Sequence, residues 1–173
     1  MSYDIPTGGK ILIDTNIFIF SIMRQLEQGA DLSPRETYSR QQAVLAKAFL
    51  KHCNNLRTEV CMSYISVCEV LEGIPETFSE ETFRLMESTF TLLPFGGTAS
   101  LLAADFARKL RKLDNIARPD KSKLRNDLFI LASAIQVGCT ACYTSDSLMI
   151  KQASRLDIPI VVQTLPDINA SLS

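Results

Sequence analysis

Two apolar patterns alternate along the chain: short consecutive runs bounded by turn residues, and longer stretches in which apolar residues recur at helical spacing. The first run, Ile11, Leu12 and Ile13, suits a strand buried on both faces, and it stops abruptly at Asp14. Residues 59–65 have the β-branched and aromatic content of a second strand, and residues 91–95 predict a short third one before Gly96 and Gly97. Residues 140–144 and 158–162 predict the fourth and fifth. Between them lie helices. Residues 16–28 are very apolar in their first half, with Gly29 as a stop, and residues 40–53 put Val44, Leu45, Ala48 and Phe49 on one face. Ser66 opens a short helix that Gly73 and Pro75 end, and Ser79, Glu80 and Glu81 open another that runs to Phe90, with acids where the helix dipole favours them. Residues 98–114 line up Leu102, Phe106, Leu110 and Leu113. Residues 126–137 are apolar nearly all round, hence buried, and Gly138 closes them; residues 147–156 form the last helix.

What remains is polar: a flexible lead over residues 1–9, loops over 30–40 around Pro34 and over 115–123, and a tail over 163–173. One domain therefore spans residues 10–162, with an extended helix-loop-helix over 24–55 that would project as a hairpin. Strands alternating with helices require a parallel sheet covered on both faces, which is an α/β fold.

In such a sheet ligands bind beyond the carboxyl ends of the strands. Four acids fall there: Asp14 after the first strand, Glu69 within a turn of the second, Asp127 in the first turn of the buried helix, and Asp146 just after the fourth strand. Gathered together they would repel one another unless a cation held them, and hard divalent ions such as Mg²⁺ or Mn²⁺ take oxygen ligands of this kind. Hydrolysis of a phosphodiester is the reaction best suited to such a site. Each acid also has a structural reading. Asp14 and Asp146 have the position of helix N-caps, Ser66 and Glu69 the spacing of a capping box, and Asp127 a place where the helix dipole favours it.

Composition adds little and excludes a good deal. With 173 residues, 46% of them hydrophobic, and a net charge of -1, the chain predicts a well-cored soluble protein whose bulk charge selects no partner. No signal peptide and no membrane span are expected, since Lys10 precedes the first apolar run and Asp14 and Asn16 interrupt it. Five cysteines, mostly in apolar segments, fit reduced thiols in a cytoplasmic core. Cys139 and Cys142 have C-x-x-C spacing without a second pair, which does not make a zinc site. Gly9-Lys10 lacks the glycine spacing and the hydroxyl residue of a phosphate-binding loop. His52, the sole histidine, lies far from every motif. Cations concentrate between Arg108 and Arg125; Lys121, Lys123 and Arg125 are the candidates for holding the phosphates of a substrate, the alternative being a solvated helix face.

ILIDTN with Asp14, YISVCEVLEG with Glu69, NDLFILASAI with Asp127 and YTSD with Asp146 together, in this order, resemble the PIN domain, especially the ribonuclease toxins of the VapC type. The resemblance implies a three-layer α/β/α fold with a central parallel sheet and Mg²⁺- or Mn²⁺-dependent endonucleolytic cleavage of RNA. It makes Asp14, Glu69, Asp127 and Asp146 the metal-binding and catalytic residues, with Asn16, Thr144 and Ser145 supporting them. An antitoxin partner and a homo-oligomer follow by the same analogy. Two departures are a long interval between Asp14 and Glu69 and a basic stretch, 118–125, ahead of Asp127. Two other readings compete: a non-catalytic RNA-binding PIN module, and a phosphatase of the haloacid dehalogenase kind, against which stands Asn16 where a second Asp is usual.

Overall fold

The computed structural model describes residues 7–23, 33–114 and 121–167. Within them, β1 (Lys10–Ile13), α1 (Thr15–Ile22), α2 (Pro34–Asn55), β2 (Glu59–Ser63) and α3 (Tyr64–Glu72) come first. A 3-10 turn (Glu76–Phe78) leads into α4 (Ser79–Thr89) and β3 (Thr91–Leu93); α5 (Gly97–Asp114), α6 (Lys121–Gln136), β4 (Ala141–Tyr143), α7 (Ser147–Ala153) and β5 (Val161–Gln163) follow. The strands form one parallel sheet in the order β3-β2-β1-β4-β5.

Alternation along β1 explains the three layers. Ile11 and Ile13 join a core with Phe18 of α1, Ala46, Phe49 and Cys53 of α2, Val67 and Val70 of α3 and Met86 of α4. Leu12, between them, points to the opposite face, where Cys61 and Cys142 meet Ile130, Leu131 and Ala134 of α6 and Met149 of α7. Helix α5 packs on α6 through Ala99, Ala103, Phe106 and Leu110. A strand apolar on consecutive positions thus sits at the centre of an α/β/α sandwich, as its sequence requires.

Because β2 and β3 lie on one side of β1 while β4 and β5 lie on the other, the chain reverses direction across the sheet between β1 and β4. The crevice beyond the carboxyl ends of those two strands is the place such sheets offer a ligand. Asp14 and Asp146 stand at its two lips.

Several boundaries differ from those the sequence suggested, each for a local reason. Helix α1 ends at Ile22 and not at residue 28: Met23 leaves the helix at ψ 131, and Lys47 Nζ donates to its carbonyl oxygen at 2.6 Å. The stop expected at Gly29 lies outside the described residues. Helix α2 starts at Pro34, inside the expected loop, because Ser33 and Glu36 form a capping box with proline in the first helical position. This helix does not project, since its Ala43, Ala46, Phe49 and Cys53 face is buried.

Helix α6 begins at Lys121, five residues before the expected Asn126. Asp127 is consequently in its second turn, beyond the reach of a first-turn dipole effect. Helix α3 begins directly after β2, with Ser63 as its cap, so Ser66 lies within the helix, wholly buried, and no capping box with Glu69 forms. Strand β5 is displaced to residues 161–163 because Pro159 has no N–H for a ladder, and Val161 makes the first bond, its N–H donating to the Thr140 carbonyl at 3.1 Å. The tail is accordingly part of the fold at its start: Gln163 pairs with Tyr143, and Leu165 joins the core.

Candidate active site

Asp14 ends β1 and caps α1, so it leaves the sheet at the crevice with its backbone already fixed: its N–H donates to the Tyr143 carbonyl at 2.9 Å. Its carboxylate is buried, 5% exposed, and both oxygens are engaged. The Thr15 N–H donates to Oδ1 and the Thr144 hydroxyl to Oδ2, each at 2.7 Å. Burial pushes the Asp14 carboxyl above its ordinary range; the two hydrogen bonds oppose that, and the nearby charges of Glu69 and Asp146 add to it. Those two acids are therefore within electrostatic reach of Asp14.

Hydroxyl groups link the three. Thr144 accepts a hydrogen bond from the Asp146 N–H at 2.9 Å while donating to Asp14, which ties the end of β4 to the end of β1. Thr15, whose backbone holds Asp14, donates its hydroxyl to Glu69 Oε2 at 2.5 Å. The other oxygen of Glu69, Oε1, accepts from Asn126 Nδ2 at 2.9 Å. Asn126 immediately precedes Asp127, which is buried in α6 at 7% exposure. Cys142 marks the gap between these acids: burial drives its thiol up, and the carboxylates of Asp14 and Asp127 push it further. All four acids thus face one edge of the sheet, reached from β1, α3, α6 and the β4 end.

The structural readings of the acids divide. Asp146 does cap α7, its Oδ1 accepting from the Leu148 N–H at 2.8 Å and the Met149 N–H at 3.3 Å. Asp14 does cap α1. Glu69 caps nothing; its two oxygens reach other helices. A cap and a ligand are compatible roles, because a carboxylate oxygen has two lone pairs and each of the bonds to Asp14 and Glu69 uses one.

Among the described residues, no three His, Cys, Asp or Glu side chains stand together closely enough to hold a metal ion among them. Mg²⁺ does not need three: it keeps several waters and is held by one or two carboxylates. An all-oxygen donor set, a buried Asp14 carboxylate opposed by the charges of half-buried Glu69 and Asp146, and the lone pairs that the bonds to Asp14 and Glu69 leave unused fit a hard divalent cation, with these three as the residues to hold it.

Among the expected supporting residues, Thr144 occupies the centre of the network, while the side chains of Asn16 and Ser145, both half-buried, join none of these bonds. Thr15 and Asn126 were missed by sequence reasoning, although each sits directly beside an acid, in DTN and ND. Arg125 is exposed one position ahead of Asn126. The side chains of Lys121 and Lys123, and the loop carrying Arg118, lie outside the described residues. On α5, Arg108 and Lys109 pair with Asp105 at 3.6 and 3.0 Å, and Arg111 Nε donates to the Ala107 carbonyl. His52 is in the last turn of α2, just before β2 begins, and so at the amino edge of the sheet, opposite the acids.

No protein-family model matches the chain, and no curated protein matches it either. Solved structures do. The structure of VapBC-1 from nontypeable Haemophilus influenzae matches at 15% identity and a TM-score of 0.60, over 90% of this chain and 98% of that one. VapBC2 from Rickettsia felis, bound to a DNA fragment from its promoter, matches at 14% identity and a TM-score of 0.57, over 91% of this chain and 99% of that one. This is the PIN fold. A toxin-antitoxin complex from Klebsiella pneumoniae shares it at 18% identity and a TM-score of 0.51, over 87% of this chain and 98% of that one. At these identities the likeness is one of fold, and the PIN fold expected from the four motifs is the one present. Nearly the whole of each neighbouring chain is covered, the long interval between Asp14 and Glu69 notwithstanding.

Proposed function

We propose that this PIN-fold chain is a Mg²⁺- or Mn²⁺-dependent endoribonuclease, acting through Asp14, Glu69, Asp127 and Asp146, and the toxin of a toxin-antitoxin pair. The observation that carries the reading is the chain of hydrogen bonds running from Asp146 through Thr144, Asp14 and Thr15 to Glu69 at the point where the sheet reverses its strand order. Clustered buried acids cost stability, and a fold keeps them where a positively charged group repays that cost. The toxin role rests on the neighbours, one of which is a toxin-antitoxin complex.

A divalent cation bound at these acids would supply Lewis acidity toward a phosphate oxygen and lower the pKa of a water. The chain's own contribution is placement. Thr15 N–H and the Thr144 hydroxyl hold Asp14 in one orientation, and the α7 backbone holds Asp146. The sole histidine, His52, is at the opposite edge of the sheet and supplies no base here. Exposed Arg125, with Lys121 and Lys123 ahead of it in sequence, would attract the RNA backbone.

The test is cleavage of a mixed structured RNA pool by the pure protein in Mg²⁺ or Mn²⁺, beside EDTA and an Asp14→Asn, Asp127→Asn double variant. Cleavage that needs metal and disappears in the variant is the expected result. RNA bound but left intact under every metal condition would replace this reading with that of a binding module. An antitoxin would appear as a small protein encoded beside the chain that co-purifies with it and stops cleavage; light scattering on the same sample reads self-association.

A further inference from the structure

Glu69 is held at both carboxylate oxygens by side chains of other helices. Thr15 of α1 donates to Oε2 and Asn126 of α6 to Oε1, at 2.5 and 2.9 Å. Glutamate has three side-chain torsions, and fixing them costs conformational entropy. Two donors on opposite oxygens define the plane of the carboxylate as well as its position, and each leaves one lone pair unused. Both donors are also sequence neighbours of an acid: Thr15 follows Asp14, and Asn126 precedes Asp127. The Thr15 residue is shared in a stronger sense, since its N–H holds Asp14 while its hydroxyl holds Glu69. A shift of either donor therefore moves two carboxylates together.

We infer that Thr15 and Asn126 are positioning residues of the acidic site, clamping the Glu69 carboxylate in the orientation in which it holds a divalent cation together with Asp14. The inference rests on the metal-dependent reading above. A clamp serving only to join α1, α3 and α6 would alter stability and leave cation affinity alone. A clamp that sets the ligand geometry alters affinity, as partners that orient metal ligands do, typically by about 10–100-fold.

Mn²⁺ binding by calorimetry on metal-free protein separates the two, with thermal melting in EDTA run on the same samples. Thr15→Val removes the hydroxyl at constant shape, and Thr15→Ser keeps it. Asn126→Ala removes the amide donor at a helical position where alanine favours the helix, so α6 is not weakened. Expected are Mn²⁺ affinities about 10–100-fold weaker than wild type for Thr15→Val and Asn126→Ala, and an affinity restored to within about threefold by Thr15→Ser. Wild-type affinity in both Thr15→Val and Asn126→Ala overturns the clamp while leaving the metal site standing. Absence of Mn²⁺ binding by the wild type overturns the metal-dependent reading and the clamp with it.

Discussion

Thr144→Val is the substitution that most directly tests how the site is held together. The side chain is wholly buried, valine has nearly its shape, and the hydroxyl makes two bonds at once: it donates to Asp14 Oδ2 at 2.7 Å and accepts from the Asp146 N–H at 2.9 Å. A hydrogen bond to a charged group contributes about 1.5–3 kcal/mol and a neutral one about 0.5–1.5 kcal/mol. Loss of both should therefore cost about 2–4.5 kcal/mol. For a chain of this size that lowers Tm by roughly 5–15 °C. The larger of the two bonds has a pH signature. It favours the ionised form of Asp14, so its contribution is full above the folded pKa of that group and falls away as pH drops through it; that pKa lies above the ordinary value of 3.8 because Asp14 is buried. Thermal and urea melts of wild type, Thr144→Val and Thr144→Ser in EDTA, at neutral and acid pH, provide the assay. Thr144→Ser should stay close to wild type, and the valine penalty should shrink on acidification. A valine variant that melts within about 2 °C of wild type at neutral pH would show that the hydroxyl does not join β1 to β4.

Asp14→Asn should stabilise the metal-free fold at neutral pH while abolishing cleavage. The folded pKa of Asp14 is raised, so the folded state keeps its proton longer than the unfolded chain; stability is full below 3.8 and declines as pH rises through the window up to the folded value. The Asp14→Asn variant lacks that decline, and melts of both proteins across this pH range, in EDTA, read the difference. Phe49→Ala should cost about 3–5 kcal/mol, because Phe49 is fully buried on α2 with its ring 4.5 Å from that of Tyr143, and urea denaturation measures it. Ser33→Ala removes the capping box of α2 and should cost about 0.5–2 kcal/mol in the same assay, with cleavage unchanged.

Strands and acids were legible in the sequence for the same reason. A parallel sheet buried on both faces needs consecutive apolar residues, and the first polar residue after such a run marks the carboxyl edge, where such sheets offer a ligand a crevice. Ile11, Leu12 and Ile13 followed by Asp14 display this, and so do Cys142 and Tyr143 followed by Thr144. The start of α6 was not legible, because Lys121, Ser122 and Lys123 offer no apolar period on which to recognise a helix. The start of α2 was legible and misread: Ser33, Pro34 and Glu36 carry a capping signal that the turn preference of proline obscured. Thr15 and Asn126 were hidden for another reason. Their bonds to Glu69 cross 54 and 57 residues of chain, and no local pattern encodes a contact at that separation.

Placement of the acids also explains why their environments differ. Asp146 is half-buried and has the amide groups of α7 to accept from, so its charge is balanced locally. Asp14 has a backbone N–H and a hydroxyl, yet these do not outweigh its burial and the charges of Glu69 and Asp146. Among the three acids joined by these hydrogen bonds, the buried one is Asp14, at the centre of the sheet, and bonds lead from it through Thr144 to Asp146 and through Thr15 to Glu69. A group of opposite charge arriving there relieves the repulsion among Asp14, Glu69 and Asp146 at once, and binding it stabilises the fold by that relief.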